Sequence, residues 1–361
     1  MKEISPKKYG LCAIVFLTIL VIGMALLTYV IDPYFHFHKP LSGINYRLYE
    51  QRYINDGISR HFEYDAVITG NSLSENTKTS EFDQLFKGKS IKLPYSGAGF
   101  KELWTSLDRT LSYNPDVKKV LVIMDYDDIS RRKDYVRYSE YPEYLYDDNI
   151  WNDASYLWNK EVFYRGTLYN LLMTITNKDS TTFDEYSSWQ KGTGADVVMP
   201  IVGYIRKPEE ITNKEYSQNE EKMVIDNVTE NVISVIQKYP NIQFYLIYSP
   251  PSIAKWCCYN NQGETAYRID GSCTAAGILL REPNVELYSF MDDFEMVCNL
   301  DNYIDTIHYD AQINSYMLQS VANGQKRLTL DNYKQYFEEM KTFYTEYDYR
   351  SLAISESNLV R

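Results

Sequence analysis

The residues of this chain best suited to chemistry lie where an apolar run ends abruptly on small polar residues. In DAVITGNSLSE, residues 65–75, a strand-like run stops at Gly70 and is followed by Asn71 and Ser72. A tight turn at the end of a strand would present the serine hydroxyl as a nucleophile, and the serine N–H would be a donor for an oxyanion. Gly-Asn-Ser is also a common turn, and Ser72 could instead cap the segment that follows.

A serine nucleophile needs a base, and the chain has four histidines. Three of them lie where such a base is not expected, next to the apolar N-terminal run or before the first predicted strand: His36, His38 and His61. The fourth, His308, lies in NYIDTIHYDAQIN, three residues after Asp305. A carboxylate at that spacing can accept from one imidazole nitrogen and leave the other to face Ser72. The sequence therefore predicts a Ser72–His308–Asp305 triad.

A parallel sheet would bring these distant residues together. Short apolar runs of strand length occur at 65–69, 119–124, 242–248 and 284–290. Between them, apolar residues recur at helical spacing: Phe100, Leu103, Trp104, Leu107 and Leu111, and later Ile225, Val228, Val232, Val235 and Ile236. The alternation predicts an α/β fold with a mainly parallel central sheet between two layers of helices. Ligands bind such sheets at the carboxyl ends of the strands.

The two motifs together resemble those of the SGNH, or GDSL-like, hydrolase superfamily, over roughly residues 62–325. The resemblance implies a flavodoxin-like three-layer α/β/α fold. In that family the first block carries the nucleophile, which corresponds to Ser72 in ITGNSLSE. The last block is Asp-x-x-His, which corresponds to Asp305 and His308.

The resemblance also implies an oxyanion hole. The family's second block supplies a glycine, for which LPYSGAGFKE offers Gly97, with Gly99 as the near alternative. Asn71, next to the nucleophile, is a second candidate for oxyanion or substrate binding. The third block of the family normally supplies an asparagine side chain, but here the corresponding strand end reads IMDYDDIS, with Asp125 in the donor position.

The N-terminus predicts a membrane anchor. Residues 11–31 are an uncharged run that would extend about 31 Å as a helix, which matches the hydrocarbon thickness of a bilayer. A cleaved signal peptide is the alternative, but no A-x-A cleavage site follows the run. Three lysines precede it (Lys2, Lys7 and Lys8) and Asp32 follows it, so the positive-inside rule places residues 1–10 in the cytoplasm and residues 32–361 outside.

A long segment, residues 126–217, interrupts the α/β alternation and contains Trp151, Trp158 and Trp189. We interpret it as an insertion in the exterior domain, either a lid or substrate-binding subdomain over the active edge or a packed structural element. The residues from about 328 onward predict a surface helix. Four cysteines lie outside the predicted span, and Cys257 or Cys258 could pair with Cys273 across the intervening segment.

Composition excludes some classes of function. A formal net charge of -12 and a pI near 5.0 argue against a nucleic-acid partner, because phosphate binding needs clustered Lys and Arg. The cysteines lack a Cys-x-x-Cys spacing or a nearby histidine, which disfavours a zinc site. The acidic run DYDD could serve a metal-dependent phosphoryl enzyme, but a solvated acidic turn is the simpler interpretation. No cofactor is expected.

An anchored exterior domain of this kind is similar to the D-alanyl transfer proteins of teichoic-acid modification and to the alginate-type O-acetylation proteins. The similarity implies a serine-dependent acyltransferase or esterase at the plasma membrane that acts in O-acylation, D-alanyl or acetyl, of a cell-surface polymer. It also implies a membrane-bound O-acyltransferase as partner. The alternative is a non-catalytic SGNH-like scaffold or polymer-binding partner of that transferase.

Overall fold

A computed structural model of the protein describes residues 6–138, 142–147, 149–189 and 192–352. Within these residues a six-stranded sheet has the order β2-β1-β3-β4-β5-β6. Its first five strands are parallel, and β6 is antiparallel to β5. The strands are β1 (Ala66–Gly70), β2 (Ser90–Pro94), β3 (Lys119–Met124), β4 (Gln243–Tyr248), β5 (Val285–Ser289) and β6 (Arg327–Leu328).

The register of the strands aligns their carboxyl ends at one edge of the sheet. Gly70, the last residue of β1, pairs with Pro94 of β2 on one side and with Ile123 of β3 on the other. The chain leaves β1 toward β2 and later returns to add β3, β4 and β5 on the opposite side. The sheet therefore has a switch point between β1 and β3, where ligands of doubly wound sheets characteristically bind.

Helices connect the strands. In chain order the α-helices of the described residues are α1 (Pro6–Ile31), α2 (Gln51–His61), α3 (Thr79–Phe86), α4 (Phe100–Tyr113), α5 (Tyr126–Ile129), α6 (Ala154–Leu157), α7 (Tyr169–Ile175), α8 (Ala195–Val202), α9 (Gln218–Asn227), α10 (Ser234–Lys238), α11 (Ile253–Asn261), α12 (Thr265–Leu279), α13 (Phe294–Val297), α14 (Ala311–Ala322) and α15 (Tyr333–Glu346). A π-helical segment, Val162–Leu168, precedes α7, and another, Val228–Ile233, joins α9 to α10.

Two groups of helices flank the sheet. α3 packs against α14, whereas α4, α12, α15 and the π-helical segment after α9 pack in a second group. The predicted fold class is confirmed: the protein is a mixed α/β protein with a mainly parallel sheet. The four predicted strands are present within one residue at either end, whereas β2 and β6 were not predicted.

The second predicted apolar helical face is wrong at its first residue, Ile225, which is not buried. Ile225 is exposed, although Val228, Val232 and Ile236 of the same apolar pattern are buried. The π-helical segment Val228–Ile233 lies between them and has a wider turn than an α-helix. Residues before the segment are therefore rotated away from the face that the later residues bury.

The chain divides into two compact units. The first contains the described residues of Met1–Phe62 and Glu140–Tyr186, and the second those of Glu63–Ser139 and Ser187–Arg361, with the whole sheet. The segment 126–217, predicted as one insertion, contributes to both units. Residues 1–5 of the predicted cytoplasmic segment lie outside the described residues, as do 139–141, 148 and 190–191 of the predicted insertion and the end of the predicted C-terminal helical segment from 353.

Helix α1 is long and apolar enough to cross a membrane. It has 26 residues and a mean hydropathy of 2.8 in its most apolar stretch, and 6% of that stretch is buried by the rest of the chain. At 1.5 Å per residue it extends about 39 Å. Near its C-terminal end a single face, Ala25, Thr28 and Ile31, is buried within the first unit.

All five cysteines lie among the described residues, and none forms a disulfide. Cys257 and Cys258 lie on α11 and Cys273 lies on α12. The intervening segment, which a disulfide was expected to close as a loop, is largely the helix Thr265–Leu279. Helical backbone takes the place of the flexible loop that such a disulfide would close, and the pairing that the sequence allowed, Cys257 or Cys258 with Cys273, is not formed in the structure.

Candidate active site

The turn after β1 positions Ser72. Gly70 ends the strand with a φ of +151°, and a Cβ there would lie 2.7 Å from the Ile123 carbonyl oxygen of β3, so the site requires glycine. The Asn71 side-chain oxygen accepts from the Leu73 N–H at 3.0 Å and caps a single 3₁₀ turn, Ser72–Ser74. The cap is thus Asn71 rather than Ser72, whose hydroxyl is left for other partners.

The hydroxyl of Ser72 faces the imidazole of His308. Ser72 Oγ lies 2.7 Å from His308 Nε2, although 236 positions separate the two residues in the chain. On the other side of the ring, His308 Nδ1 lies 2.6 Å from Asp305 Oδ2. The side chains of His308 and Asp305 are 22% and 31% exposed, so neither is sealed from solvent. The structure brings the three predicted residues together in the order nucleophile, base and orienting carboxylate that is characteristic of a serine triad.

The loop that carries Asp305 and His308 is closed and anchored. Tyr303 and Tyr309 form an antiparallel bridge, and the Ile304 N–H donates to the His308 carbonyl at 3.0 Å. The loop is fixed to the segment after β4, because the hydroxyl of Ser252 donates to the Thr306 carbonyl at 2.7 Å. Tyr303 makes a second attachment, from its hydroxyl to the Pro250 carbonyl at 2.8 Å. The imidazole is therefore held by a loop of defined shape.

Asp305 is held as a carboxylate. Its Oδ1 accepts from the backbone N–H groups of Ile307 and His308, at 2.8 and 2.7 Å. Burial alone would raise the pKa of Asp305, but the hydrogen bonds from the His308 ring and from these N–H groups outweigh burial and lower the pKa. An ionised Asp305 accepts the proton of His308 Nδ1 and leaves Nε2 as the acceptor that faces Ser72.

The candidate oxyanion donors lie on neighbouring strand ends. The Tyr95 N–H donates to the Gly70 carbonyl at 2.9 Å, which places the start of the β2–α4 loop beside the Ser72 turn. Gly97, two residues further on, has a φ of +68°, a conformation that favours glycine. Gly99 directly precedes α4. The side-chain oxygen of Asn71 caps the 3₁₀ turn, and its Nδ2 donates a hydrogen bond to Asp125 Oδ2 at 3.3 Å.

Three aspartates at the end of β3 have different environments. Burial, reinforced by the nearby charge of Asp127, raises the pKa of Asp125. Burial likewise raises the pKa of Asp128 well above its usual value. Asp127 instead forms ion pairs with Lys255, at 3.0 Å, and Arg268, at 3.3 Å, which outweigh its burial and lower its pKa.

The ion pairs of Asp127 bear on the alternative in which the acidic run DYDD serves a metal-dependent phosphoryl enzyme. Among the described residues no group of three or more His, Cys, Asp or Glu side chains is arranged to hold a metal ion. The carboxylate of Asp127 already binds two cationic side chains and the hydroxyl of Tyr259.

Cys257 and Cys273 are poor candidate nucleophiles, because burial raises the pKa of Cys257 to about 12 and that of Cys273 to about 11.

Sequence reasoning missed several residues around the site. The ring of Trp189 contacts the His308 imidazole edge to face, with centroids 5.7 Å apart, and its Nε1 donates to Glu75 at 2.9 Å. Asn314 of α14 supports the turn by donating to the Leu73 carbonyl at 3.1 Å. Trp189 belongs to an irregular segment without periodicity, so only its membership of the predicted insertion pointed to it.

A short segment after α5 lies against the candidate oxyanion loop. A Cβ added at Gly97 would lie 2.9 Å from the Tyr138 hydroxyl and 3.3 Å from the Arg137 guanidinium, and one at Gly99 would lie 2.9 Å from the Tyr135 ring. Arg137 and Tyr138 are exposed. The two glycines thus make room for this aromatic and cationic segment.

Comparisons with known proteins add little to this geometry. No protein-family model matches the chain, and no curated protein matches its sequence. A solved structure described as "The structure of a putative platelet activating factor from Streptococcus pneumonia" aligns with 80% of this chain and 91% of its own, at 13% identity and a TM-score of 0.39. A TM-score this low does not establish a shared fold, so the chemistry of the site rests on its own geometry.

Proposed function

We propose that this protein is a membrane-anchored, serine-dependent acyltransferase or esterase that acts in O-acylation of a cell-surface polymer. The observation that carries the proposal is the contact chain from Ser72 Oγ through the two ring nitrogens of His308 to Asp305, with distances of 2.7 and 2.6 Å. A nucleophile, a base and an orienting carboxylate in this order are what acyl transfer through a serine ester needs.

The first half of the reaction forms an ester on Ser72. His308 Nε2 takes the hydroxyl proton as Ser72 Oγ attacks the acyl carbonyl carbon of the donor. The new Oγ–carbon bond replaces the bond between the acyl carbon and the donor oxygen, which leaves with the proton from His308. The second half reverses these steps: a polymer hydroxyl or water gives its proton to His308, attacks the acyl carbon and releases Ser72.

Stabilisation of the oxyanion is assigned to donors on the three neighbouring strand ends. The backbone N–H groups of Ser72 and Gly97 are the first two. Asp125 occupies the position where the SGNH family has an asparagine, and its two carboxyl oxygens accept from Asn71 Nδ2 and from the Asp127 N–H. Burial raises the pKa of Asp125, and only its neutral form could act as the third donor.

The proposed location follows from α1 and the charges beside it. With Lys7 and Lys8 in the cytoplasm, the residues after Asp32 lie outside the cell. A tethered catalyst meets a donor and a polymer held at the same surface at high effective concentration. The resemblance to polymer-acylating systems supports a membrane-bound O-acyltransferase as the partner that supplies the acyl group.

The test is covalent labelling of the full-length protein in detergent with a fluorophosphonate probe, followed by mapping of the modified residue. We expect modification of Ser72, loss of labelling in Ser72→Ala, and unchanged labelling in the control Ser112→Ala, which removes an exposed hydroxyl at the end of α4. Circular dichroism checks that Ser72→Ala folds. A wild-type protein that is not labelled, or a Ser72→Ala variant that still acylates polymer in cells, would favour the non-catalytic scaffold instead.

A second measurement separates the two directions of the reaction. An esterase releases free acid from a small chromogenic acetyl ester in water. A dedicated transferase cleaves such an ester slowly unless a polymer hydroxyl is present as acceptor. Faster consumption of the ester on addition of a teichoic-acid or polysaccharide acceptor would identify a transferase.

A further inference from the structure

The first unit has a helical segment whose apolar side chains point outward. From residue 164 to 175, a stripe at helical spacing is exposed: Tyr164, Leu168, Leu172 and Ile175. Leu172 is 56% exposed and Ile175 is 78% exposed. Just before this stripe, Trp151 and Trp158 are also exposed. A soluble surface rarely carries a continuous apolar stripe of this kind without a partner.

The opposite face of the same segment buries small and polar residues. Gly166, Thr167 and Asn170 are buried, together with Met173. The Asn170 side-chain oxygen accepts from the Arg47 N–H at 3.0 Å inside the unit, whereas its buried amide nitrogen has no hydrogen-bond partner among the described residues. The apolar Val162 and Met173 are also buried, but the four residues of the exposed stripe are all largely apolar, whereas the apolar stripe of a helix in a water-soluble protein faces the core. This distribution is typical of helices that pack through small residues and expose apolar ones to lipid.

The segment lies against the apolar helix α1. Trp158 Nε1 is 3.3 Å from the Val21 carbonyl oxygen, and the hydroxyls of Thr167 and Thr28 are 3.4 Å apart. A Cβ at Gly166 would lie 2.7 Å from the Pro33 ring, directly after the helix. The segment therefore follows α1 from about Val21 to its C-terminal end.

These contacts set the depth of the segment relative to the predicted span. Val21 precedes Ile31 by ten residues, which is about 15 Å along a helix axis, or half of the hydrocarbon thickness. Trp158 is thus level with the middle of the predicted span, whereas the exposed stripe lies nearer the C-terminal end of α1, where Thr167 meets Thr28 and Gly166 meets Pro33. Exposed side chains of α1 at the same levels, Leu26 and Val30, are apolar as well.

Charged side chains limit how deeply the segment enters. Arg165, within the stripe region, lies 3.5 Å from Glu50 and 3.8 Å from Glu161. These three groups need water or lipid headgroups around them, and long side chains can extend toward the interface while their stems stay in apolar surroundings. These charged groups place the stripe at the boundary between headgroups and acyl chains rather than at the bilayer centre.

We propose that residues 150–175 form a second membrane-contacting element, whose outward stripe lies at the boundary between headgroups and acyl chains in the outer leaflet. The exposed stripe contacts lipid, because it is continuous with the lipid-facing surface of α1. The element holds the first unit against the membrane surface in addition to the single span. This proposal rests on the membrane anchor put forward under the proposed function.

The experiment places the full-length protein in nanodiscs that contain a phospholipid with a photoactivatable diazirine near the headgroup end of its acyl chain. After illumination, lipid adducts are mapped by mass spectrometry. We expect adducts in α1 and in residues 150–175. Adducts in α1 without any in residues 150–175 would overturn the membrane-contacting element and leave the anchor intact. An α1 free of adducts would overturn the anchor, and with it this proposal, while the labelling of Ser72 would be unaffected.

A variant with a matched control tests the stripe itself. The double variant Leu168→Asn, Leu172→Asn changes exposed side chains and should fold, as checked by circular dichroism. We expect lipid adducts in residues 150–175 to fall several-fold, with those in α1 unchanged. The control, Leu330→Asn, alters a leucine that is also 56% exposed but lies in the second unit. It should change neither the adducts in residues 150–175 nor those in α1. Unchanged adducts in the double variant would overturn the proposal.

Discussion

The substitution Asp305→Asn tests whether His308 works as a base. Asparagine has the shape of aspartate, and its side-chain oxygen can still accept from the backbone N–H groups of Ile307 and His308. The loop should therefore keep its conformation. The amide nitrogen, however, replaces the oxygen that lies 2.6 Å from His308 Nδ1. Two donors cannot face each other, so the ring proton moves to Nε2, where it faces Ser72 and blocks proton abstraction.

The expected loss is large because the wrong tautomer removes the base altogether. In serine-hydrolase triads this Asp→Asn change lowers kcat by about 10⁴-fold, or about 5.5 kcal/mol of transition-state stabilisation. KM for a small ester should change little, because Asp305 does not face the substrate. A merely structural carboxylate would instead lower the melting temperature and leave turnover nearly intact.

The assay is the rate of fluorophosphonate labelling, with ester turnover where it is measurable, for the wild type and Asp305→Asn across pH. The matched control is Asp310→Asn in the same loop region. Asp310 caps α14 by accepting from the Gln312 N–H at 2.9 Å, and asparagine is an equally good cap. Turnover of Asp305→Asn within about tenfold of the wild type, with Asp310→Asn unchanged, would refute the assignment of His308 as an oriented general base.

Two further predictions concern the neighbouring strand ends. Gly97→Ala should destabilise the protein by about 1–2 kcal/mol and lower turnover, because alanine is strained at φ +68° and its Cβ would displace Tyr138. The control Gly324→Ala has the same strain at φ +67° but open space around it. In thermal-melt and turnover assays the control should be destabilised to a similar extent and keep full turnover. Asp128→Asn should raise the melting temperature at pH 7. Burial raises the pKa of Asp128 in the folded protein, so the folded state favours the neutral acid. Aspartate is neutral in both states below the unfolded pKa of about 3.9, and the folded protein loses stability as pH rises through the folded pKa, because the buried group must then carry a charge. The gain should vanish below about pH 4, where aspartate is neutral in both states, and a gain that persists in acid would mean that burial of the charge is not its cause.

The sequence was a good guide to the central sheet and to the candidate triad. Buried parallel strands are continuous apolar runs, and β1, β3 and β4 are largely of that type, whereas β5 carries Glu286 among its apolar residues. His308 was recognisable because it was the one histidine placed after the last predicted strand, with a carboxylate three residues before it. Both inferences depend on local patterns that a chain retains whatever its tertiary contacts.

The strand β2 was missed for a physical reason. Its sequence, SIKLP, has a lysine at its centre and a proline at its end, which are unfavourable signals for a buried strand. In the structure the Lys92 ammonium is buried and donates to the Glu75 carbonyl at 2.6 Å. A distant backbone acceptor makes this lysine tolerable, and no local pattern can reveal such a partner.

The site residues that were missed share the same limitation. Trp189 reaches His308 from an irregular segment, and its position depends on backbone and side-chain contacts with Asn76 and Glu75. The outward stripe of residues 164–175 was not distinguished from the rest of the predicted insertion. Which of its faces is buried depends on α1, more than a hundred residues earlier in the chain.

The 236 positions between the hydroxyl of Ser72 and the ring of His308 have a consequence for biosynthesis. Ribosomes add about 5–20 residues per second, so the serine emerges on the order of ten to fifty seconds before its partner has been made. During that interval the nascent polypeptide carries an ordinary, unreactive alcohol. Under the proposed function, reactivity is therefore withheld until nearly the whole polypeptide has been translated, and truncated products of interrupted translation would be harmless to the esters around them.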